Sequence, residues 1–192
     1  MGLVLIAAPT VEPVTVDEAK AHLRIDHPDE DAFLASLIAT SRLHIEGALD
    51  IALITQSWSW QLTAWPQSGI VEMPLWPVRS VEAVRIGAEA GEVLTLPPNY
   101  YALDGTSKPA RLCRIQGAWP EPARNPAPGI AIEFKAGFGD NAGDVPMPIR
   151  QALLLLVAHW YENREPVVIG ETVARIPETV SALLMPYRRV RL

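Results

Sequence analysis

Two pairs of side chains carry the spacing that a metal site on a helix needs. His22 and Asp26 lie four residues apart, His159 and Glu162 three apart, and on a helix of 3.6 residues per turn either spacing puts both on one face. Neither pair has a third ligand close by. His159 and Glu162 are half of the motif with which helical bundles hold paired metals, and the other half is missing. Cys113 sits between Leu112 and Arg114 in a strand-like stretch, with no neighbouring histidine to lower its pKa. Gly137-Phe138-Gly139-Asp140 lacks the third glycine of a dinucleotide turn, and no phosphate loop or Gly-x-Ser-x-Gly elbow is present. Asp29, Glu30 and Asp31 stand where a helix dipole favours negative charge, which explains them without acid-base work. The residues therefore predict no catalytic group, no metal and no cofactor, and the chain reads as a non-enzyme.

Six tryptophans demand the same scrutiny, because exposed aromatic rings stack sugars and bases. Trp58 and Trp60 share one face of a strand and are expected to be buried together. Trp65, Trp76 and Trp119 each precede proline, which favours extended backbone and braced turns.

The elements that would position these residues follow from periodicity. The 192 residues are 49% apolar and 20% charged, with 18 prolines, so the chain can bury a core but is broken by many turns. Thr15 followed by Glu18 forms a capping box, and Val16, Ala19 and Leu23 make the apolar stripe of a short helix ending near Ile25. A longer helix follows, with Phe33, Leu34, Leu37, Ile38, Ser41, Ile45 and Ala48 on one side, stopping between Gly47 and Asp50. From Thr55 the period falls to two. Strands are expected at 55–62, 70–73, 80–86, 92–96, 100–103, 110–115 and 130–135, forming a small antiparallel sheet. Helical character returns over 149–163. Its centre, 152–158, is apolar all round, so the first two helices must come back to cover it, with Leu155 in the middle of the buried stretch. A short helix over 178–184 precedes Pro186.

This order predicts an α+β fold: residues 1–54 and 137–185 as a helical core, 55–136 as an inserted β module, and 186–192 as a C-terminal tail. The seven-residue apolar run at 152–158 is far short of the roughly twenty needed to span a membrane. One cysteine and no recognisable charged, apolar leader point to a reducing cytoplasm. Net charge is −6, and the excess falls in the first 54 residues, which hold nine acidic and three basic side chains. No basic face suited to gripping nucleic acid is evident outside the last few residues.

Several strings across nearly the whole chain resemble the head-tail connector, or adaptor, proteins of tailed bacteriophages and of phage-derived gene transfer agents. They are Val14-Thr15-Val16-Asp17-Glu18-Ala19-Lys20-Ala21-His22-Leu23-Arg24, Ala52-Leu53-Ile54-Thr55-Gln56-Ser57-Trp58, Pro74-Leu75-Trp76-Pro77-Val78, Ala136-Gly137-Phe138-Gly139-Asp140, the stretch from Val145 through His159-Trp160-Tyr161-Glu162 to Glu165, and Ile176-Pro177 through Pro186-Tyr187-Arg188. Gly47-Ala48-Leu49-Asp50-Ile51 departs from the aromatic-Thr-Gly turn that relatives tend to carry there. The resemblance implies a helical bundle with an inserted β subdomain, assembled as a ring of commonly twelve copies beneath the portal. It further implies partners in the portal protein and in the next ring, a stopper or tail terminator. Genomic DNA would pass through without sequence-specific binding, in a particle neck assembled in the bacterial cytoplasm.

In that setting Tyr187, Arg188, Arg189, Val190, Arg191 and Leu192 are the expected portal-binding element, because apolar anchors mixed with three guanidinium groups suit a segment that orders in an acidic groove. The other reading of the same residues is a solvated chain end. The acidic stripe of the first two helices would repel DNA if it faced the passage, and would equally suit an outer surface. Two different functions stay open. One is a monomeric carbohydrate- or peptide-binding β module displaying Tyr100, Tyr101 and Trp119; the other is an enzyme with a pocket joining His159 and Glu162.

Overall fold

The computed structural model describes residues 1–88, 92–123, 129–164 and 176–188. The chain divides into two compact units, one of residues 1–9 and 50–138, the other of residues 10–49 and 139–192. Residues 1–9, 50–54, 137 and 138, expected with the helices, thus lie in the sheet-bearing unit. The class is α+β, with antiparallel sheets and, among the described residues, four α-helices.

In the helical unit, α1 (Val16–Leu23) begins at the capping box. The Glu18 N–H donates to Thr15 Oγ1 at 3.1 Å, and the Thr15 N–H donates to the Glu18 carboxylate at 2.8 Å. Arg24, left-handed at φ 60°, closes it. Helix α2 (Asp31–Leu49) stops before Asp50, also left-handed at φ 54°, a conformation aspartate tolerates better than most residues.

The buried side of α2 is Leu34, Ile38, Ser41, Arg42, Ile45, Glu46 and Leu49. Phe33 and Leu37 are only half-buried and Ala48 is exposed, while two charged residues take core positions. Arg42 and Glu46 are admitted because they neutralise each other one turn apart, at 2.9 Å, and Arg42 Nε donates to Glu12 at 2.8 Å. Helix α3 (Met147–Glu162) packs against α1, α2 and α4 (Glu178–Leu184). It buries Ile149, Ala152, Leu153, Leu156 and Val157. Leu154 and Leu155 are half-buried, so position 155 is not the buried centre; the helical turn carries these two to the flank of the covered side.

Among the described residues of the sheet unit, all seven expected segments form strands, and an eighth lies outside that reading. They are β1 (Gly2–Ala7), β2 (Gln56–Leu62), β3 (Ile70–Glu72), β4 (Val78–Gly87), β5 (Val93–Thr95), β6 (Tyr101–Asp104), β7 (Arg111–Arg114) and β8 (Ile130–Ala136). They build two sheets rather than one, ordered β1-β2-β8-β4-β5 and β3-β7-β6. Strand β8 is central: Ile130, Ile132, Phe134 and Ala136 point inward. They join Leu62, Val84 and Ile86 of the larger sheet and Val71, Tyr101 and Leu112 of the smaller in one shared core.

Gly137 closes the sheet unit. It adopts φ +146°, and a β-carbon there would lie 2.5 Å from the Thr55 nitrogen and 2.6 Å from the Ile54 carbonyl carbon, both backbone atoms that cannot swing aside. Gly137→Ala is accordingly expected to destabilise the protein by more than about 3 kcal/mol, read by chemical denaturation. In α3, Leu153→Asp should abolish folding by burying an unpaired charge, whereas Leu155→Asp should yield folded protein of reduced stability. Circular dichroism of the two variants separates a covered side from an all-round buried helix.

Candidate functional site

The expected portal-binding element begins where α4 ends. Val180 and Leu184 anchor that helix, and a 3₁₀ turn over Met185–Tyr187 leads out, with the Arg188 N–H donating to the Met185 carbonyl at 3.2 Å. Met185 and Arg188 are exposed and Tyr187 is half-buried. Arg189, Val190, Arg191 and Leu192 lie outside the described residues.

Much of the acidic excess of the first helices is committed to holding the helical unit together. Lys20 pairs with Asp31 at 2.8 Å, and Glu12 and Glu46 both pair with Arg42. Arg150, at the start of α3, donates to the Glu18 carboxylate and, through Nε, to the Pro13 carbonyl at 3.0 Å. At the other end of α3, Tyr161 and Arg164 both donate to Glu30, and the Arg164 guanidinium lies over the rings of Phe33 and Tyr161 at 4.7 and 4.6 Å. Two carboxylates therefore clamp α3 to the start of each preceding helix. The Thr15 N–H, aided by Arg150, holds the Glu18 carboxyl below its ordinary range; the Tyr161 hydroxyl and then Arg164 do the same for Glu30. Among the acidic residues of these helices and the connecting turn, Asp17, Asp26 and Asp29 face solvent. The negative stripe expected from the sequence is correspondingly thinner than its charge count.

The residues considered for chemistry are not brought together. Helix α1 ends at Leu23, so His22 and Asp26 do not share a helix face, and both are exposed. His159 is half-buried near the end of α3, its carbonyl accepting from Asn163, while Glu162 is exposed. Among the described residues, no three His, Cys, Asp or Glu side chains lie close enough to hold a metal ion. A cavity of about 330 Å³ in the helical unit is lined by Val11, Glu12, Val14, Thr15, Ile38 and Asn141, among others, and involves neither His159 nor Glu162.

The aromatic rings are structural. Trp65 and Trp119 stack at 4.2 Å between centroids, and their indole N–H groups donate to the carbonyls of Pro120 and Gly69, each at 2.8 Å. Trp119 and Tyr101 are buried and Tyr100 packs against the same core, so these three do not form a displayed aromatic face. Trp58 and Trp60 also lean on that core, though both remain half-exposed. Asp104 accepts from the hydroxyls of Ser107 and Thr106, which lower its pKa to about 2, and so fixes the turn after β6. Gly139 makes room for another such carboxylate. A β-carbon at 139 would collide with the Asp144 side chain, which accepts from the Asn141 N–H at 2.9 Å just before α3.

The surface feature absent from the sequence reading is β1. All six of its residues are exposed although four are large and apolar. The signal was an uncharged, wholly aliphatic stretch, Leu3-Val4-Leu5-Ile6, with β-branched residues at 4 and 6, whose lack of alternation hides it from a period-two search.

A two-unit α+β protein whose carboxylates and aromatics serve as internal fasteners is a structural module in its construction. A sequence model of the head completion protein family matches residues 12–190, and the chain belongs to that family. Solved structures agree along the full length. The chain is similar to a component of the neck of an empty gene transfer agent particle computed with C6 symmetry, with 29% identity and TM-score 0.84. It is similar to a component of the virion of a native gene transfer agent particle, with 30% identity and TM-score 0.83. A third likeness is to the neck of a native particle computed with C12 symmetry, at 29% and 0.82. In each case the match covers 100% of this chain and 97% of the other. No curated protein matches the chain significantly.

The clamps set the acid response. A carboxylate whose folded pKa is depressed stabilises the fold above its ordinary pKa and loses that contribution as pH falls through the folded value. With Glu18 and Glu30 both lowered from 4.5, the melting temperature should hold steady above about pH 5 and fall progressively below pH 4.5. The double variant Glu18→Gln, Glu30→Gln should melt lower at neutral pH and show a shallower acid limb in a pH series of thermal melts.

Proposed function

We propose that this chain is a head-tail connector, a structural component of a phage-like particle neck that forms a ring between the portal and the next neck or tail protein. The observation that carries this reading is the match along the whole chain, at 29–30% identity, to neck and virion components of gene transfer agent particles, together with membership of the head completion family. In this reading the helical unit is the connector body, residues 55–136 of the sheet unit are an insertion between α2 and α3, and the ring has twelve copies. DNA passes through the ring without sequence readout. The work is assembly: no bond is made or broken. The monomeric sugar- or peptide-binding alternative loses its main support with Tyr101 and Trp119 buried.

Tyr187, Arg188, Arg189, Val190, Arg191 and Leu192 are the segment proposed to dock on the portal. Its root fits that role, since α4 is anchored by Val180 and Leu184 while Met185 and Arg188 face solvent. Three guanidinium groups in the final six residues favour a groove lined with carboxylates.

Deleting residues 187–192 should change the stability of the isolated chain by no more than about 1 kcal/mol and abolish its attachment to portal-bearing heads. Particles assembled with the truncated chain, imaged and counted for completed necks, test the docking role; normal necks would refute it. Locating the full-length chain along the tail axis tests the neck assignment itself.

A further inference from the structure

Strand β1 contributes nothing to the core of its own subunit. Leu3 is 38% exposed, Val4 47%, Leu5 44% and Ile6 54%, so apolar side chains stand in water on both faces of the strand. One backbone edge is paired with β2, Leu3 opposite Trp60 and Leu5 opposite Trp58. The strand order places β1 at the end of its sheet, which leaves the other row of N–H and C=O groups without a strand partner among the described residues. Folded proteins blunt such edges with charges, prolines or very short strands, because a bare edge is a template for another chain. Gly2–Ala7 has no charge and no proline, and six residues extend about 20 Å. Among the described residues, no other run of three consecutive large apolar side chains is exposed.

We propose that β1 is part of the seam between neighbouring copies of this chain, its free edge and apolar side chains being covered by the next subunit. The proposal rests on the connector reading and adds to it the surface through which copies join. A second copy is the occupant that fits. The absence of charge on both faces is the composition of a permanent contact between like subunits rather than of a polar docking site. Six residues are also only about a quarter of what one side of a stable free-standing interface uses. In a closed ring, by contrast, every copy both gives and receives the contact.

Symmetry restricts what covers the edge. Pairing β1 with another β1 requires a two-fold axis and stops at a dimer. The opposite edge of the sheet, β5, is exposed too, with Val93 at 61% and Leu94 at 48%. Joining β1 to the next copy's β5 would extend a twisted sheet by about 100° per copy, since five strands each add some 20–25°. That twist runs about the direction in which copies are added, whereas closing a ring needs rotation about an axis perpendicular to it. Edge-to-edge continuation therefore leads to an open fibre, and the covering segment is one other than the neighbour's β1 or β5.

The test places a photo-cross-linking amino acid, p-benzoylphenylalanine, at position 4 of the full chain in assembled particles. Irradiation should give a product of twice the chain's mass. Cross-links solely to a different protein, or no product, would overturn the proposal. In parallel, the variant Val4→Lys, Ile6→Lys should melt as the wild-type monomer does yet enter particles at least tenfold less. Incorporation at the wild-type level would also overturn it. If the unmodified chain is itself missing from the particle neck, the connector reading has failed; if it is present and position 4 does not join copies, only the seam is wrong.

Discussion

Helix α3 is the constraint on which the helical unit depends. Ile149, Ala152, Leu153, Leu156 and Val157 make a side too apolar to leave in water, and the helices covering it come from both directions along the chain: α1 and α2 from upstream of the whole 50–138 segment, α4 from just downstream. Burial of that side supplies the drive, and polar contacts supply the register. Arg150 reaches the cap of α1 and Tyr161 with Arg164 the entrance to α2, so the two ends of α3 are each fixed by one carboxylate. Such pairs contribute modestly to stability where water reaches them, and their value lies in specifying one arrangement among several that would bury the same grease.

Between these helical segments the chain builds a second core by a different rule. Period-two alternation on β8 feeds Ile130, Ile132 and Phe134 into a centre shared by two sheets, and the stacked pair Trp65 and Trp119 closes part of it with both indole N–H groups satisfied. At its boundary Gly137 approaches the backbone at Ile54 and Thr55 more closely than any side chain permits. Family membership and the likeness to neck components fit this construction, in which nearly every distinctive residue is a fastener.

Most elements were legible because their chemistry is local. The capping box at Thr15 and Glu18 and the alternation from 130 to 136 are statements about neighbours a few residues apart. What was hidden depends on partners far away. Arg42 and Glu46 sit on the buried side of α2 because Glu12, thirty residues earlier, completes their charge balance; the i,i+4 spacing flanked by Ser41 and Ile45 was the available clue. Strand spacing could not reveal that seven segments divide between two sheets, since pairing is a property of the folded chain. β1 escaped because successive residues on both its faces are apolar, so it lacks the polar alternation that a half-buried strand writes into its sequence. At the level of function, residue chemistry offered no converging catalytic group to follow, and only the family resemblance led to the particle neck.

The placement of the indoles has a practical corollary. Five of the six tryptophans, at positions 58, 60, 65, 76 and 119, belong to the sheet unit, and Trp160 alone is carried by a helix. Intrinsic fluorescence therefore reports chiefly on one unit, whereas ellipticity at the helical minimum reports chiefly on the other. Superimposable traces from these two optical channels during denaturation would identify a single cooperative transition, and separated traces would resolve the units as independent folding blocks.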